Sequence, residues 1–157
     1  MSPATLALTV GGLGFLRPGP GTWGSVPPVL LIAALIQAGA STVNMVTALV
    51  LVCVVFSTLC VGLGSYAEQR FGRKDASEVV ADETAGVCLP LFVAVGLGAA
   101  MTDLVLAFVL FRIFDISKPP PMRHLERIPG GWGVLIDDLM AGIYAAGVLA
   151  LVLHLIS

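Results

Sequence analysis

Charged residues are scarce in this sequence. Only 11% of its 157 residues are Asp, Glu, Lys or Arg, whereas an ordinary soluble domain has about 25%. Hydrophobic residues make up 57% of the chain, and its mean hydropathy is +0.99. So few charges could not cover a hydrophobic interior of this size in water, which indicates that the chain is not an ordinary water-soluble domain.

Cysteine is rare as well, and a basic stripe is missing. The three cysteines, Cys53, Cys60 and Cys88, lie in apolar stretches and form no C-x-x-C pair. Their odd number and surroundings indicate embedded thiols rather than a disulfide framework or a zinc site. The net charge of −2 gives no support for a nucleic-acid partner, which would need clustered Lys and Arg.

The chain has long uncharged stretches instead. Most of its charged residues fall in two windows, 68–83 and 112–138, and three long stretches between and beside them carry none: 18–67, 84–102 and 139–157. A membrane-spanning helix needs about 20 mostly apolar residues, or fewer where flanking groups snorkel. The sequence therefore predicts a single membrane-embedded domain over 1–157, an all-α polytopic bundle. Its spans, about five with some short helices, are 26–40, 43–65, 84–100, 104–117 and 134–156.

This arrangement fixes the orientation of the chain. Residues 1–25, 66–83 and 118–133 fall on one side of the membrane, and all eight Lys and Arg collect at that face. The positive-inside rule identifies it as cytoplasmic, with the N-terminus inside and the C-terminus outside. Residues 3–16 are open to two interpretations, since they fit a re-entrant or interfacial helix as well as a tail.

Carboxylates mark the cytoplasmic ends of three predicted spans. One acid pair opens the third span, an acid and a lysine close the fourth, and a second acid pair opens the fifth: Asp82, Glu83, Asp115, Lys118, Asp137 and Asp138. Five ionised acids at one depth would repel one another, and one or two divalent cations would offset that repulsion. Oxygen ligands without a Cys or His cluster favour Mg²⁺. The alternative is that these side chains have no metal-binding role: they snorkel to the membrane boundary, and the acids in first turns are stabilised by the helix dipole.

These residues divide into candidate roles. All five acids are candidate metal ligands, and Asp115, Lys118, Asp137 and Asp138 are candidate catalytic residues. Adjacent residues on a helix point about 100° apart. The four paired acids therefore cannot all face one ion equally. We expect Asp82, Glu83, Asp115 and one or both of Asp137 and Asp138 to hold one or two ions, and a spare member of a pair to support the site or act as a base. The sequence does not decide which.

A glycine-rich segment precedes the first predicted span. Residues 11–25 read G-G-L-G-F-L-R-P-G-P-G-T-W-G-S. Glycines permit close approach of backbone N–H groups to an anion, and a helix is expected to start at Ser25. The segment predicts a phosphate-binding loop, with a flexible turn as the alternative. The candidate phosphate contacts are Gly21, Thr22, Gly24 and Ser25 of the loop, with Lys118, Arg112 and Arg123.

Four sequence blocks resemble one known family. They are P-G-T-W-G-S at 20–25, K-D-A-S-E-V-V-A-D-E-T-A-G at 74–86, F-R-I-F-D-I-S-K-P-P-P at 111–121, and G-G-W-G-V-L-I-D-D-L-M-A-G-I-Y-A at 130–145. Together they resemble phosphatidylglycerophosphatase A. The resemblance implies a Mg²⁺-dependent enzyme of the bacterial inner membrane that converts phosphatidylglycerophosphate to phosphatidylglycerol and inorganic phosphate. The positions of this sequence that match the family's functional residues are Thr22, Ser25, Asp82, Glu83, Asp115, Lys118, Asp137 and Asp138.

Other functions remain open from the residues alone. A metal-dependent phosphatase of another lipid phosphate or pyrophosphate would need the same acids. A small cation transporter subunit would place acids along a path through the membrane, whereas Asp103 is the lone acid toward the opposite face. Small residues such as Ala141 and Ala145 allow close helix packing within or between chains, so an oligomer is compatible with the sequence but not predicted by it.

Overall fold

The structure, a computed structural model, describes residues 1–120, 122, 128 and 130–156. These residues form helices and contain no strand, which confirms the all-α prediction. The helices are α1 (Pro3–Leu8), α2 (Pro20–Gln37), α3 (Thr42–Gly62), α4 (Gly64–Phe71), α5 (Ala81–Gly86), α6 (Cys88–Gly96), α7 (Met101–Ser117) and α8 (Gly131–Ile156).

Two helices of the described chain, α3 and α8, are long and apolar enough to cross a membrane. Only 17% and 22% of their most apolar windows are buried inside the protein, so most of their apolar side chains face outward. A soluble core helix would be mostly buried. Two of the five predicted spans thus correspond to helices of spanning length, and the other three stay a prediction.

The predicted third span, 84–100, is not one helix. The structure divides it into α5 and α6, with a break at Val87. Pro90 lies in the first turn of α6, has no N–H to donate to the carbonyl four residues earlier, and so prevents a continuous helix from running through Gly86. The acid pair consequently belongs to a short helix of its own rather than to the end of a long span.

Other helix ends also differ from the prediction. Helix α2 begins at Pro20 rather than residue 26, because Gly19 adopts a left-handed conformation (φ 70°) and Pro20 suits the first helical position. Helix α8 begins at Gly131, three residues before the predicted start. Residues 3–16 contain α1 and a 3₁₀ turn at Leu13–Phe15, so helix rather than extended tail prevails there.

Small residues let the helices meet at the end of the molecule that carries the charges. A Cβ atom at Gly142 of α8 would overlap the carbonyl oxygen of Gly86 in α5. A Cβ atom at Gly131, where α8 begins, would overlap the carbonyl oxygen of Cys60 near the end of α3. The end of α3 therefore lies beside the start of α8. The close crossing of α5 with α8 brings the two acid pairs together.

The apolar interior lies on either side of this crossing. One cluster joins α3, α6, α7 and α8 around Leu49, Leu91, Phe111 and Leu149. A smaller cluster, including Leu8, joins α1, α3 and α4 to α5 and the start of α8. Helix α5 is held between the two clusters, so its position depends on packing from both sides.

Candidate functional site

Three carboxylates from two helices form the centre of the site. Asp82 and Glu83 project from the first turn of α5, and Asp138 projects from α8. Each of these side chains offers one carboxylate oxygen, and the three oxygens lie within 4.8 Å of one another. Asp82 and Asp138 are almost completely buried. The arrangement is a compact oxygen-only ligand set for a hard cation.

The electrostatics of this set favour occupation by a cation. Burial raises the pKa of Asp82 to about 6. Burial, reinforced by the neighbouring Asp82 charge, raises the pKa of Glu83 well above its usual range. In addition, Asp82 Oδ1 and Glu83 Oε2 are buried without a hydrogen-bond partner among the described residues. Unpartnered carboxylate oxygens in one place cost free energy that a bound cation would offset, so the residues present fit Mg²⁺.

The other two predicted ligands have cationic partners. Asp115 forms an ion pair with Arg112 one turn earlier on α7, with Nη1 and Oδ2 2.6 Å apart. Asp137 forms an ion pair with Lys118, with Nζ and Oδ2 2.5 Å apart. The adjacent residues Asp137 and Asp138 therefore point to different partners, as neighbouring positions on a helix must.

A polar cavity of about 280 Å³ connects these groups. All five predicted acids and Lys118 contribute to its wall, together with two polar and two apolar residues. The lining residues are Asp75, Ser77, Asp82, Glu83, Asp115, Ile116, Lys118, Val134, Asp137 and Asp138. The structure thus brings the predicted catalytic and metal-ligating residues to one place.

Two cavity residues, Asp75 and Ser77, were missed from the sequence. They lie in the segment between α4 and α5, where Asp75 has a left-handed backbone (φ 52°). This turn returns the chain toward the acids of α5. Arg73 donates hydrogen bonds to the Ser77 hydroxyl (2.9 Å) and to Glu78 Oε2 (2.8 Å), which holds the segment in place. The sequence feature that could have identified Asp75 is its position seven residues before Asp82, within the same block 74–86.

The predicted phosphate-binding segment is helical, so the prediction of a loop there is wrong. Gly21, Thr22, Gly24 and Ser25 form the first turns of α2, and none of them is among the cavity-lining residues. The Ser25 hydroxyl donates to the Gly21 carbonyl (2.8 Å) within the helix. The Gly24 carbonyl accepts from the Thr84 hydroxyl of α5 (2.7 Å). These residues pack α2 against α5.

The two predicted arginine contacts have separate outcomes. Arg112 is mostly buried beside Asp115 and is not among the residues that line the cavity. Arg123 lies outside the described residues. Among the cations of the described chain, Lys118 is the one that lines the cavity.

Comparison with known proteins identifies relatives over almost the whole chain. The profile of the family described as Phosphatidylglycerophosphatase A matches residues 6–153. Phosphatidylglycerophosphatase A of Haemophilus influenzae is 35% identical over 150 residues, which cover 92% of this chain and 85% of that protein. The same-named protein of Escherichia coli is 36% identical over 108 residues, 64% of this chain and 59% of that protein.

A relative with a different name is equally similar. A protein of Bacteroides thetaiotaomicron named Putative phosphatidylinositol-3-phosphatase is 36% identical over 146 residues, which cover 91% of each chain. No solved structure matches this chain.

Proposed function

The chain belongs to the phosphatidylglycerophosphatase A family, and we propose that it hydrolyses the phosphate monoester of phosphatidylglycerophosphate in a Mg²⁺-dependent reaction. The products are phosphatidylglycerol and inorganic phosphate. The observation that carries the proposal is the group formed by Asp82, Glu83 and Asp138, which opens into the same cavity as Lys118. A phosphatase of this kind chiefly positions the phosphate and stabilises its charge.

Asp82, Glu83 and Asp138 are the proposed Mg²⁺ ligands. Their carboxylate oxygens lie close together, Asp82 and Asp138 are buried, and Asp82 and Glu83 each have a buried oxygen without a hydrogen-bond partner among the described residues. Asp115 lines the same cavity and is available as a further ligand for a first or second ion. When bound, Mg²⁺ supplies charge neutralisation at the phosphate oxygens and lowers the pKa of an attacking water.

Lys118 is the proposed phosphate contact, and Asp137 positions it. Lys118 follows the last turn of α7 in a left-handed conformation (φ 44°), which directs the chain into Pro119 and Pro120. Its ammonium group lies against the buried Asp137 carboxylate. A lysine held in this way presents a point charge to a phosphate that enters the cavity.

Asp137 is also the proposed general base. As Lys118 shifts its charge toward the phosphate, the Asp137 carboxylate becomes available to take a proton from water. The water oxygen forms a bond to phosphorus, and the bond between phosphorus and the glycerol oxygen breaks. The departing oxygen takes a proton from solvent, and Asp137 releases its proton to solvent, which completes the hydrolysis.

The enzyme is proposed to reside in the bacterial inner membrane with its site at the cytoplasmic face. The outward-facing apolar surfaces of α3 and α8 support membrane residence. The concentration of Lys and Arg at the end of the molecule that holds the site supports a cytoplasmic orientation. A site at the membrane surface suits a substrate whose acyl chains stay in the bilayer.

A second candidate substrate is the phosphate monoester of another lipid headgroup. The similarity to the Bacteroides protein over 91% of each chain favours this alternative. The carboxylates and Lys118 would treat any phosphate monoester alike, because they contact the phosphate rather than the alcohol.

Substrate profiling separates the two candidates. Purified protein in detergent with Mg²⁺ should release phosphate from phosphatidylglycerophosphate faster than from phosphatidylinositol 3-phosphate or phosphatidic acid. Equal or faster release from phosphatidylinositol 3-phosphate would reassign the substrate. Heat-inactivated protein provides the background rate.

A further inference from the structure

Gly21 of α2 lies against the acid pair from outside the cavity. A Cβ atom built on Gly21 would overlap Glu83 Oε1 and would lie 3.0 Å from Arg112 Nη1. The Glu83 carboxylate and the Arg112 guanidinium therefore occupy the space that a side chain at position 21 would fill. Because Gly21 lies in the first turn of α2, the partial positive charge of the helix N-terminus is beside the same carboxylate.

Arg112 links this contact to the second acid. Its guanidinium forms the 2.6 Å ion pair with Asp115, and both side chains are mostly buried, with 14% and 12% of their surfaces exposed. Glu83 and Asp115 line the cavity whereas Arg112 and Gly21 do not. One cation thus lies behind two carboxylates that face the cavity.

We propose that Gly21 and Arg112 form a brace that positions the Glu83 and Asp115 carboxylates toward the cation site. Arg112 is in this view a positioning residue rather than a contact for the substrate phosphate. Gly21 contributes because a Cβ at that position would displace the Glu83 carboxylate. The inference rests on the proposed function insofar as a cation occupies the site.

The physical basis is the cost of holding two carboxylates in one place. Glu83 and Asp115 repel each other, and the positive charge of Arg112 acts on Glu83 in the opposite sense. The ion pair of Arg112 with Asp115 holds that carboxylate directly. Groups that orient metal ligands in this manner typically change metal affinity or activity about 10- to 100-fold when removed.

Gly21→Ala is the sharpest test, with Gly147→Ala as the matched control. Gly147 is also a helical glycine, and a Cβ there meets nothing within 4 Å. The measurement is Mn²⁺ binding to purified protein in detergent without substrate, followed by electron paramagnetic resonance of the free ion. We expect Gly21→Ala to weaken Mn²⁺ binding by about 10-fold or more, and Gly147→Ala to leave it unchanged.

Arg112 variants provide a test that does not depend on the glycine. Arg112→Gln should weaken Mn²⁺ binding, and Arg112→Lys should recover part of the loss because it keeps the charge. If Arg112 instead contacts the substrate phosphate, Arg112→Gln would raise KM for the lipid and leave Mn²⁺ binding intact. Melting temperatures in the same detergent identify variants that fail to fold, in which case the remaining variant carries the test.

The outcomes also separate this inference from the proposed function. Normal Mn²⁺ binding by folded Gly21→Ala and Arg112→Gln proteins would overturn the brace. Wild-type protein that binds Mn²⁺ but releases no phosphate from any lipid would overturn the proposed function and leave the brace in place. Wild-type protein that binds no Mn²⁺ would overturn both.

Discussion

Asp137 and Asp138 are adjacent in the chain, yet the structure gives them different partners. Asp138 joins the carboxylates of α5, whereas Asp137 is paired with Lys118 from the end of α7. The sequence predicts that one member of such a pair faces away from the other, because successive helix positions are rotated by about 100°. Which member faces the other acids depends on how α8 is rotated against α5, which only packing determines.

The pairing of Lys118 with Asp137 gives a prediction for Lys118→Ala. Removal of the ammonium group should lower kcat by about 10²- to 10³-fold, the usual effect of losing one group that stabilises transition-state charge. Mn²⁺ binding should persist, because Asp82, Glu83 and Asp138 remain. Phosphate release and Mn²⁺ binding on the same preparation check both parts. A large loss of Mn²⁺ affinity would show that Lys118 supports the cation site instead.

The carboxylate group gives a prediction for stability. A ligand that binds only the folded state stabilises it by about 2.7 kcal/mol at 100 times its Kd, so Mg²⁺ should raise the melting temperature of the metal-free protein. Asp82→Asn should abolish this increase. Asp103→Asn is the matched control, since Asp103 accepts a hydrogen bond from the Ala100 backbone at the start of α7. An equal increase in both variants would place the cation elsewhere.

The helices themselves were predicted better than their ends. Uncharged length locates α3 and most of α8, because hydropathy reports which stretches avoid water. It does not report the left-handed Gly19 that starts α2 early, nor the break between α5 and α6 next to Pro90, which has no N–H to donate. Those ends are set by single backbone positions, so the glycine-rich composition predicts a loop where the chain forms the first turns of α2.

The sequence predicts which residues belong to the candidate site better than it predicts which of them contact one another. Charge in otherwise apolar helices identifies five of the six acids that line the cavity, since an acid there is costly unless it serves a purpose. The i, i+3 spacing places Arg112 and Asp115 on one helix face, as the structure has them. The sequence does not show that Lys118 is paired with Asp137 of another helix. Asp75 and Ser77 escaped notice because they lie on a connecting segment, whose path follows from a turn rather than from periodicity.

The close crossing of α5 and α8 gives a prediction for Gly142→Ala. The new methyl group would overlap the Gly86 carbonyl, so the two helices must separate, and overpacking of this kind costs about 1–3 kcal/mol. Thermal unfolding in detergent should show a lower melting temperature than for Gly147→Ala on the same helix. Equal melting temperatures would mean that α5 and α8 are not closely packed.

The whole molecule is polar at one end and apolar along its sides. The end of α3 and the start of α8 meet near the cavity, so the two helices are antiparallel: α3 runs toward the site and α8 runs away from it. Most of the charged residues lie in the two windows that border this end. The uneven distribution of charged residues that argues against a soluble domain therefore also indicates which end of the molecule holds the site.

This polarity gives a prediction for membrane topology. In a variant whose native cysteines are replaced by alanine, Lys74→Cys should react with a membrane-impermeant maleimide only from the cytoplasmic side. Ala100→Cys, at the start of α7, should react only from the opposite side. Both positions are exposed, so accessibility depends on sidedness. The reverse pattern would invert the orientation, and labelling of both from one side would contradict a membrane crossing by α5 and α6.

The most direct test is phosphate release from phosphatidylglycerophosphate by the purified protein, with and without Mg²⁺. We predict release by the wild type that stops when Mg²⁺ is chelated and resumes when it is restored, and no such recovery by Asp138→Asn despite normal folding. An inactive wild type, or Asp115→Asn and Asp138→Asn variants that both retain the full Mg²⁺-dependent rate, would contradict the assignment of this site.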